Sequence, residues 1–109
     1  MDLGIAGRRA VLLGSSRGLG RACAESLARE GVHVVINGRG EADVEATAAE
    51  LAATHGVETA GVTGDSTLPE VHDALLEACP EPDIVLSLQS DLVVLGTADA
   101  IAAFERSED

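Results

Sequence analysis

The chain of 109 residues carries 19 acidic and 7 basic residues, a formal net charge of −12. So acidic a surface argues against a nucleic-acid backbone or an anionic membrane as the main partner. Hydrophobic residues make up 46% of the chain but include one Phe and neither Trp nor Tyr. We therefore expect one compact domain over residues 1–109, with a core of small aliphatic side chains between helices and a sheet.

Short apolar runs alternate with helical patterns along the chain. The predicted elements are a strand at 9–13, a helix at 17–30, a strand at 33–38, a helix at 41–56, a strand at 57–64, a helix at 67–79 and a strand at 83–89. Short connections marked by Gly or Pro join them, as is typical of parallel strands linked by right-handed crossovers. The predicted fold class is α/β, a Rossmann-like doubly wound parallel sheet of about four strands flanked by helices.

The C-terminal part of the chain follows a different pattern. Residues 90–96 are compatible with a strand continuation or with a packed loop. Beyond them, Ala98, Ile101 and Phe104 recur at helical spacing behind Thr97, a candidate cap. This pattern predicts a final helix in a C-terminal tail of residues 90–109.

The stretch VLLGSSRGLGRACAESLAREG, residues 11–31, holds a glycine-rich turn between the first strand and the first helix. Such a turn directs backbone N–H groups and a helix N-terminus toward one point, an arrangement that binds phosphate or pyrophosphate. The spacing is G-x-x-x-G-x-G, and by itself it is equally compatible with a plain turn. Its place in a β-α-β pattern favours the phosphate site, to which the serines can add hydroxyl donors. The residues concerned are Gly14, Ser15, Ser16, Gly18 and Gly20.

This stretch, with the preceding DLGIAGRRA, resembles the opening of the short-chain dehydrogenase/reductase family, specifically its 3-oxoacyl-[acyl-carrier-protein] reductase-like members. The resemblance covers residues 1 to about 89. It implies NAD(P)(H)-dependent oxidoreduction of alcohols and ketones, and a sheet of strand order 3-2-1-4 that carries the dinucleotide. The residues that it places at the cofactor are Gly14, Ser15, Ser16, Gly18, Leu19, Gly20, Asp65 and Ser66.

The resemblance also assigns parts of the cofactor to these residues. The turn would line the pyrophosphate and the adenosine ribose, and Asp65 with Ser66 would lie beside the adenine; Asp65 is also compatible with a helix cap. At the end of the second strand an acidic residue would favour NAD(H), whereas Arg39, helped by Arg17, can clamp a 2′-phosphate. We expect NADP(H) rather than NAD(H), although Glu41 weakens the local positive field.

The chain also departs from the family pattern. Leu13 stands where the family usually has Thr, and SLQS at 87–90 replaces the usual Asn-Asn-Ala-Gly turn. The sequence contains no Tyr and no Lys, the residues on which hydride transfer in the family relies. We therefore assign no catalytic residue and expect a dinucleotide-binding half, truncated before the catalytic Tyr and Lys and inactive alone. The alternative is a non-catalytic Rossmann-fold binding or assembly module.

The remaining chemistry-bearing residues give weaker signals. The three His show no metal-ligand spacing, so no metal site is expected. Cys23 and Cys79 form no CxxC pair and are expected on opposite faces of the sheet, as free thiols of a reduced, cytoplasmic protein. The apolar runs are too short to cross a membrane.

The fourth predicted strand bears on association. In the family it is an interior strand, whereas here only about twenty residues follow it. An uncovered apolar edge invites pairing with another chain. We therefore expect a homodimer, or a complex with a second polypeptide, through residues 84–104, which comprise the strand-four edge and the C-terminal helix. A monomer whose tail seals this edge is the alternative.

Overall fold

The computed structural model describes residues 6–16, 18–65, 68–87 and 92–95. These residues form β1 (Arg9–Leu13), α1 (Gly18–Arg29), β2 (His33–Gly38), α2 (Glu41–His55), β3 (Thr59–Thr63), α3 (Pro69–Ala78), β4 (Ile84–Ser87) and β5 (Leu92–Leu95). The first seven elements begin and end within two residues of the predicted positions. The final helix predicted within residues 97–109 lies outside the described residues.

The strands form one sheet of order β3-β2-β1-β4-β5. β1 to β4 are mutually parallel, and the order 3-2-1-4 is the one that the family resemblance implies. β1 lies in the middle of these four, with Val11 opposite Val35 of β2 and Val85 of β4. Parallel pairing follows from the right-handed crossovers through α1, α2 and α3.

β5 corrects one prediction. It pairs antiparallel with β4 along its whole length, so that Ile84 faces Leu95 and Ser87 faces Leu92. Of residues 90–96, the described residues Leu92–Leu95 form neither a continuation of β4 nor a packed loop but a separate antiparallel strand. The expectation that β4 is an open edge is therefore wrong: β3 and β5 are the outer strands among the described residues.

Each face of the sheet packs against helices through alternate residues of the strands. One face buries Leu12 and Ile36 beneath α1 and α2, and Ala24 and Ala28 of α1 pack directly on it. The opposite face buries Val11, Leu13, Val35 and Val85 against α3, whose contacts come from Val71 and Leu75. The small Ala side chains let α1 lie close to the strands, as the composition predicted.

The two cysteines lie on opposite faces, as predicted. Cys23 of α1 packs against the first cluster, Cys79 after α3 belongs to the second, and both are free thiols. None of the helices in the described parts of the chain combines the length and the apolar character needed to span a membrane.

Candidate functional site

The carboxyl ends of the parallel strands share one edge of the sheet, and the turns that leave β1, β2 and β3 meet there. Gly14 and Gly18, on either side of the first turn, have φ of 69° and 64°. A Cβ on Gly20, in the first turn of α1, would overlap the carbonyl oxygen of Gly14. Glycine at this position therefore allows α1 to begin directly against the end of β1.

Ser15 lies inside this turn rather than on its surface. Its side chain is buried, and its hydroxyl donates to the carbonyl oxygen of Leu12 at 2.7 Å while accepting from the Asn37 N–H at 3.1 Å. Its own N–H donates to the Asn37 carbonyl oxygen at 2.7 Å. Both donors of Ser15, the hydroxyl and the backbone N–H, are thus used within the fold. Ser16 is partly exposed.

Asn37 is the residue of this edge that sequence reasoning missed. It is 1% exposed, and its Oδ1 accepts from the Gly14 N–H at 3.3 Å. Its Nδ2 donates to the carbonyl oxygens of Val62 at 3.0 Å and Gly64 at 3.2 Å. One side chain thus joins the ends of β1, β2 and β3. The available signal was an amide in an otherwise aliphatic strand, immediately before a Gly and an Arg.

The glycine-rich turn is also held from α2. Thr47 is 3% exposed, and its Oγ1 donates to the carbonyl oxygen of Ser16 at 3.0 Å. A hydroxyl on the buried face of an Ala-rich helix gave no separate signal in the sequence. Together, Asn37 and Thr47 fix the two ends of the segment that begins at Gly14.

The charged residues predicted for the site lie where β2 and β3 end. The Arg39 side chain is 77% exposed, and its Nη2 lies 3.6 Å from Oδ2 of Asp65. At the start of α1, Leu19 exposes an apolar side chain beside the turn. The structure thus brings most of the predicted residues to one edge; Arg17 and Ser66 lie outside the described residues.

A concavity of about 460 Å³ lies at the opposite edge of the sheet. Its lining includes Arg9, His33, Glu58 and Cys79. The Arg9 guanidinium pairs with the Glu58 carboxylate at 3.3 Å, and the Glu58 N–H donates to His33 Nδ1 at 3.0 Å. These polar groups satisfy one another, whereas the carboxyl edge presents Arg39 and a helix N-terminus to solvent. We therefore take the carboxyl edge as the candidate site.

Comparison with known proteins gives a family match. Residues 8–82 match the family described as short chain dehydrogenase. The chain is 39% identical over 88 residues to the uncharacterized oxidoreductase YvaG of Bacillus subtilis, covering 80% of this chain and 33% of that protein. It is 37% identical over 79 residues to the inactive hydroxysteroid dehydrogenase-like protein 1 of Pongo abelii, covering 72% of this chain and 24% of that protein.

Solved structures give the same fold. The L-sorbose reductase of Gluconobacter frateurii, in its crystal structure with NADPH and L-sorbose, superposes with a TM-score of 0.73 and 38% identity. The superposition covers 78% of this chain and 34% of the reductase. The chain thus spans about a quarter to a third of the length of the relatives that it matches.

Proposed function

Because the chain belongs to the short-chain dehydrogenase family, we propose that it is the dinucleotide-binding part of an NADP(H)-dependent oxidoreductase. The observation that carries this proposal is the glycine-rich turn, fixed at the carboxyl ends of β1 to β3 with Arg39 beside it. We propose that residues 1–109 act as a single domain. The cofactor-binding residues are proposed to be Gly14, Ser16, Arg17, Gly18, Leu19, Gly20, Arg39, Asp65 and Ser66, with Ser15 acting inside the turn.

The geometry of the turn suits an anionic ligand. The first turn of α1 contains no acidic residue, so the partial positive charge of the helix N-terminus is not neutralised there. The missing Cβ of Gly20 lets this N-terminus lie directly after β1. Both features support binding of the cofactor pyrophosphate at the start of α1.

Arg39 supports the choice of NADP(H) over NAD(H). Its side chain is 77% exposed and pairs with the partly exposed Asp65, so its guanidinium can turn toward a 2′-phosphate at modest cost. A charge-assisted hydrogen bond contributes on the order of 1.5 to 3 kcal/mol, and an exposed one belongs at the lower end. The phosphate that distinguishes the two cofactors is therefore proposed to be bound by Arg39.

The chemistry beyond binding requires residues that this sequence lacks. NADPH, when bound, supplies a hydride to a carbonyl carbon, and the family's general acid is a Tyr assisted by a Lys. Neither residue type occurs in the 109 residues. We propose that the chain alone binds and orients the cofactor without turning over, and that a catalytic Tyr and Lys come from outside it.

A non-catalytic Rossmann-fold module is the second candidate. The observation that favours it is the relative from Pongo abelii, which is described as inactive. The two candidates differ in what accompanies the chain. A co-purifying polypeptide with a Tyr-x-x-x-Lys motif that confers NADPH oxidation on the mixture would favour the oxidoreductase. A partner without that motif, and a mixture without turnover, would favour the module.

Calorimetric titration of the purified chain with NADPH and with NADH tests the proposal. We expect NADPH to bind about tenfold more tightly, the equivalent of one exposed charge-assisted contact. Equal affinities would overturn the assignment of Arg39. Absence of binding to either cofactor would overturn the proposed function itself.

We also propose a homodimer, or a complex with a second polypeptide, in the reducing cytoplasm. With β4 covered, the outer strand at this end of the sheet, among the residues that the structure describes, is β5, with the sequence LVVL. A run of four aliphatic residues on an outer strand favours association through its backbone. Light scattering coupled to gel filtration at several concentrations should give a mass above that of one chain. The mass of one chain at every concentration would contradict the proposal.

A further inference from the structure

The amide of Asn37 uses both of its ends on the backbone around the glycine-rich turn. We propose that Asn37 is a positioning residue for cofactor binding: it holds the turn in the shape that receives the pyrophosphate without touching the cofactor. This inference rests on the proposed function and adds to it a residue outside the set that the sequence predicted. Asn37 is 1% exposed, so its effect on a ligand must act through the groups that it binds.

Three hydrogen bonds connect the end of β2 to the turn after β1, and a fourth ties that turn to β1 itself. The Gly14 N–H donates to Asn37 Oδ1, the Ser15 N–H donates to the Asn37 carbonyl oxygen, and the Asn37 N–H donates to Ser15 Oγ. The Ser15 hydroxyl closes the set by donating to Leu12. The turn therefore takes its position from Asn37 through both the main chain and the side chain.

The same residue links the turn to β3. Its Nδ2 donates to the carbonyl oxygens of Val62 and Gly64, the latter immediately before Asp65. The neighbouring Gly38 packs so closely on Ser16 that a Cβ there would overlap the Ser16 side chain. Movement of Asn37 would therefore shift the turn relative to both neighbouring strands.

These contacts require an amide. The position needs one acceptor toward Gly14 and a donor group toward two carbonyl oxygens, which matches the oxygen and the NH₂ of Asn. An Asp carboxylate of the same shape would place an oxygen against the Val62 and Gly64 carbonyl oxygens, with no proton between them. Leaving a buried polar group without a partner costs more free energy than the hydrogen bond itself contributes.

The test compares Asn37→Asp with Thr59→Val in the full chain. Thr59 Oγ1 donates to the Ala48 carbonyl oxygen at 2.8 Å, so Thr59→Val also removes a side-chain hydrogen bond to the backbone, but at the other end of β3. Both variants are titrated with NADPH and with adenosine 2′-monophosphate at a temperature where circular dichroism shows them folded. The monophosphate keeps the adenine and the 2′-phosphate but lacks the pyrophosphate.

We expect Asn37→Asp to weaken NADPH binding at least about tenfold and monophosphate binding less than about threefold, because the variant loses the hydrogen bonds that hold the turn, and the monophosphate lacks the pyrophosphate that the turn receives. Thr59→Val should change both affinities less than about twofold, since distant sites act independently. An equal loss for both ligands in Asn37→Asp, or unchanged NADPH binding, would overturn the inference. Should Asn37→Asp not fold, Asn37→Ser, which shortens the side chain and leaves both carbonyls without this donor, takes its place under the same criteria.

A ligand-free measurement separates this inference from the proposed function. Amide hydrogen exchange at Gly14, followed by NMR, should be accelerated at least about tenfold in Asn37→Asp and unchanged in Thr59→Val. Unchanged protection at Gly14 would overturn the positioning role. If the wild-type chain binds no NADPH, the proposed function fails, while the exchange rates still decide whether Asn37 holds the turn.

Discussion

The guanidinium of Arg39 lies 3.6 Å from the carboxylate of Asp65, across the gap between the ends of β2 and β3. The family resemblance predicts Asp65 beside the adenine, whereas the charge of Arg39 at the end of β2 predicts a contact with the 2′-phosphate. Under the proposed function, a 2′-phosphate and Asp65 would compete for the same guanidinium. We therefore expect cofactor preference to depend on both residues.

Asp65→Asn should raise the ratio of NADPH affinity to NADH affinity by up to about fivefold, since an exposed ion pair contributes at most about 1 kcal/mol. The ratio is the informative quantity because contacts with the adenine are common to both cofactors and cancel. Titration with each cofactor at low ionic strength measures it. A ratio that stays constant or falls would show that Asp65 does not restrain Arg39.

Arg39→Ala should remove most of the preference for NADPH. The expected loss is about tenfold in NADPH affinity with little change for NADH, because only NADPH carries the 2′-phosphate. Arg29→Ala is the matched control: it removes the same charge from an exposed position in the last turn of α1, at the opposite edge of the sheet. If both variants lose the same affinity, the effect comes from net charge rather than from a contact.

The order of the elements was predictable because alternating strands and helices with short connections leave few topologies. The location of Gly14, Gly18 and Gly20 in a tight turn was also predictable, because a short connection between a strand and a helix constrains the backbone. The hydrogen bond from the Ser15 hydroxyl to Leu12 was not predictable, because a sequence does not tell whether a hydroxyl in such a turn points outward or back into the strand.

Other features of the site depend on contacts between distant residues. Asn37 contacts groups 22 to 27 positions away, and Thr47 contacts Ser16 across 31 positions. No local pattern reports which carbonyl a buried donor will reach. β5 was left open in the sequence for a related reason: LVVL is short and uniformly apolar, so periodicity does not separate a strand from a packed loop.

Gly20→Ala should destabilise the chain, although Ala usually stabilises the interior of a helix relative to Gly. The added Cβ would overlap the Gly14 carbonyl oxygen, so the start of α1 must move away from the turn. We expect a loss of about 1 to 3 kcal/mol in the free energy of unfolding, and weaker NADPH binding. Gly40→Ala is the control, because its Cβ would meet its nearest neighbour at 3.5 Å and its φ is −96°. Urea denaturation compares the variants, and equal stability of the two would contradict the close approach at Gly20.

The purified 109-residue chain should not oxidise NADPH in the presence of ketones or sugars above the uncatalysed rate. A general acid alone accounts for about a hundredfold to ten-thousandfold of rate, and the chain holds neither Tyr nor Lys. Absorbance at the NADPH band follows the reaction. Turnover that persists through repurification and disappears in Gly18→Val would show that other residues carry the chemistry.

The thiol of Cys79 gives a prediction about pH. Burial raises the pKa of this thiol, against the opposing effect of the nearby Arg9 charge. The folded chain therefore holds the thiol proton more tightly than the unfolded chain does. The stabilisation that this thiol contributes is complete at pH values below its pKa in the unfolded chain. It is lost as the pH rises through its pKa in the folded chain, so the free energy of unfolding should begin to decline at about pH 9.

Thiol labelling and denaturation test this behaviour together. At pH 8, iodoacetamide should label the partly exposed Cys23 before Cys79, which is 3% exposed, and mass spectrometry after digestion identifies the modified residue. In Cys79→Ala the stability will be lower because a buried group is lost, but its decline above about pH 9 should be shallower than in the wild type. The difference between the two slopes of stability against pH reports on the Cys79 thiol alone, because every other titrating group is common to both chains. Parallel pH profiles, or labelling of Cys79 first, would contradict a buried, protonated thiol at the end of α3.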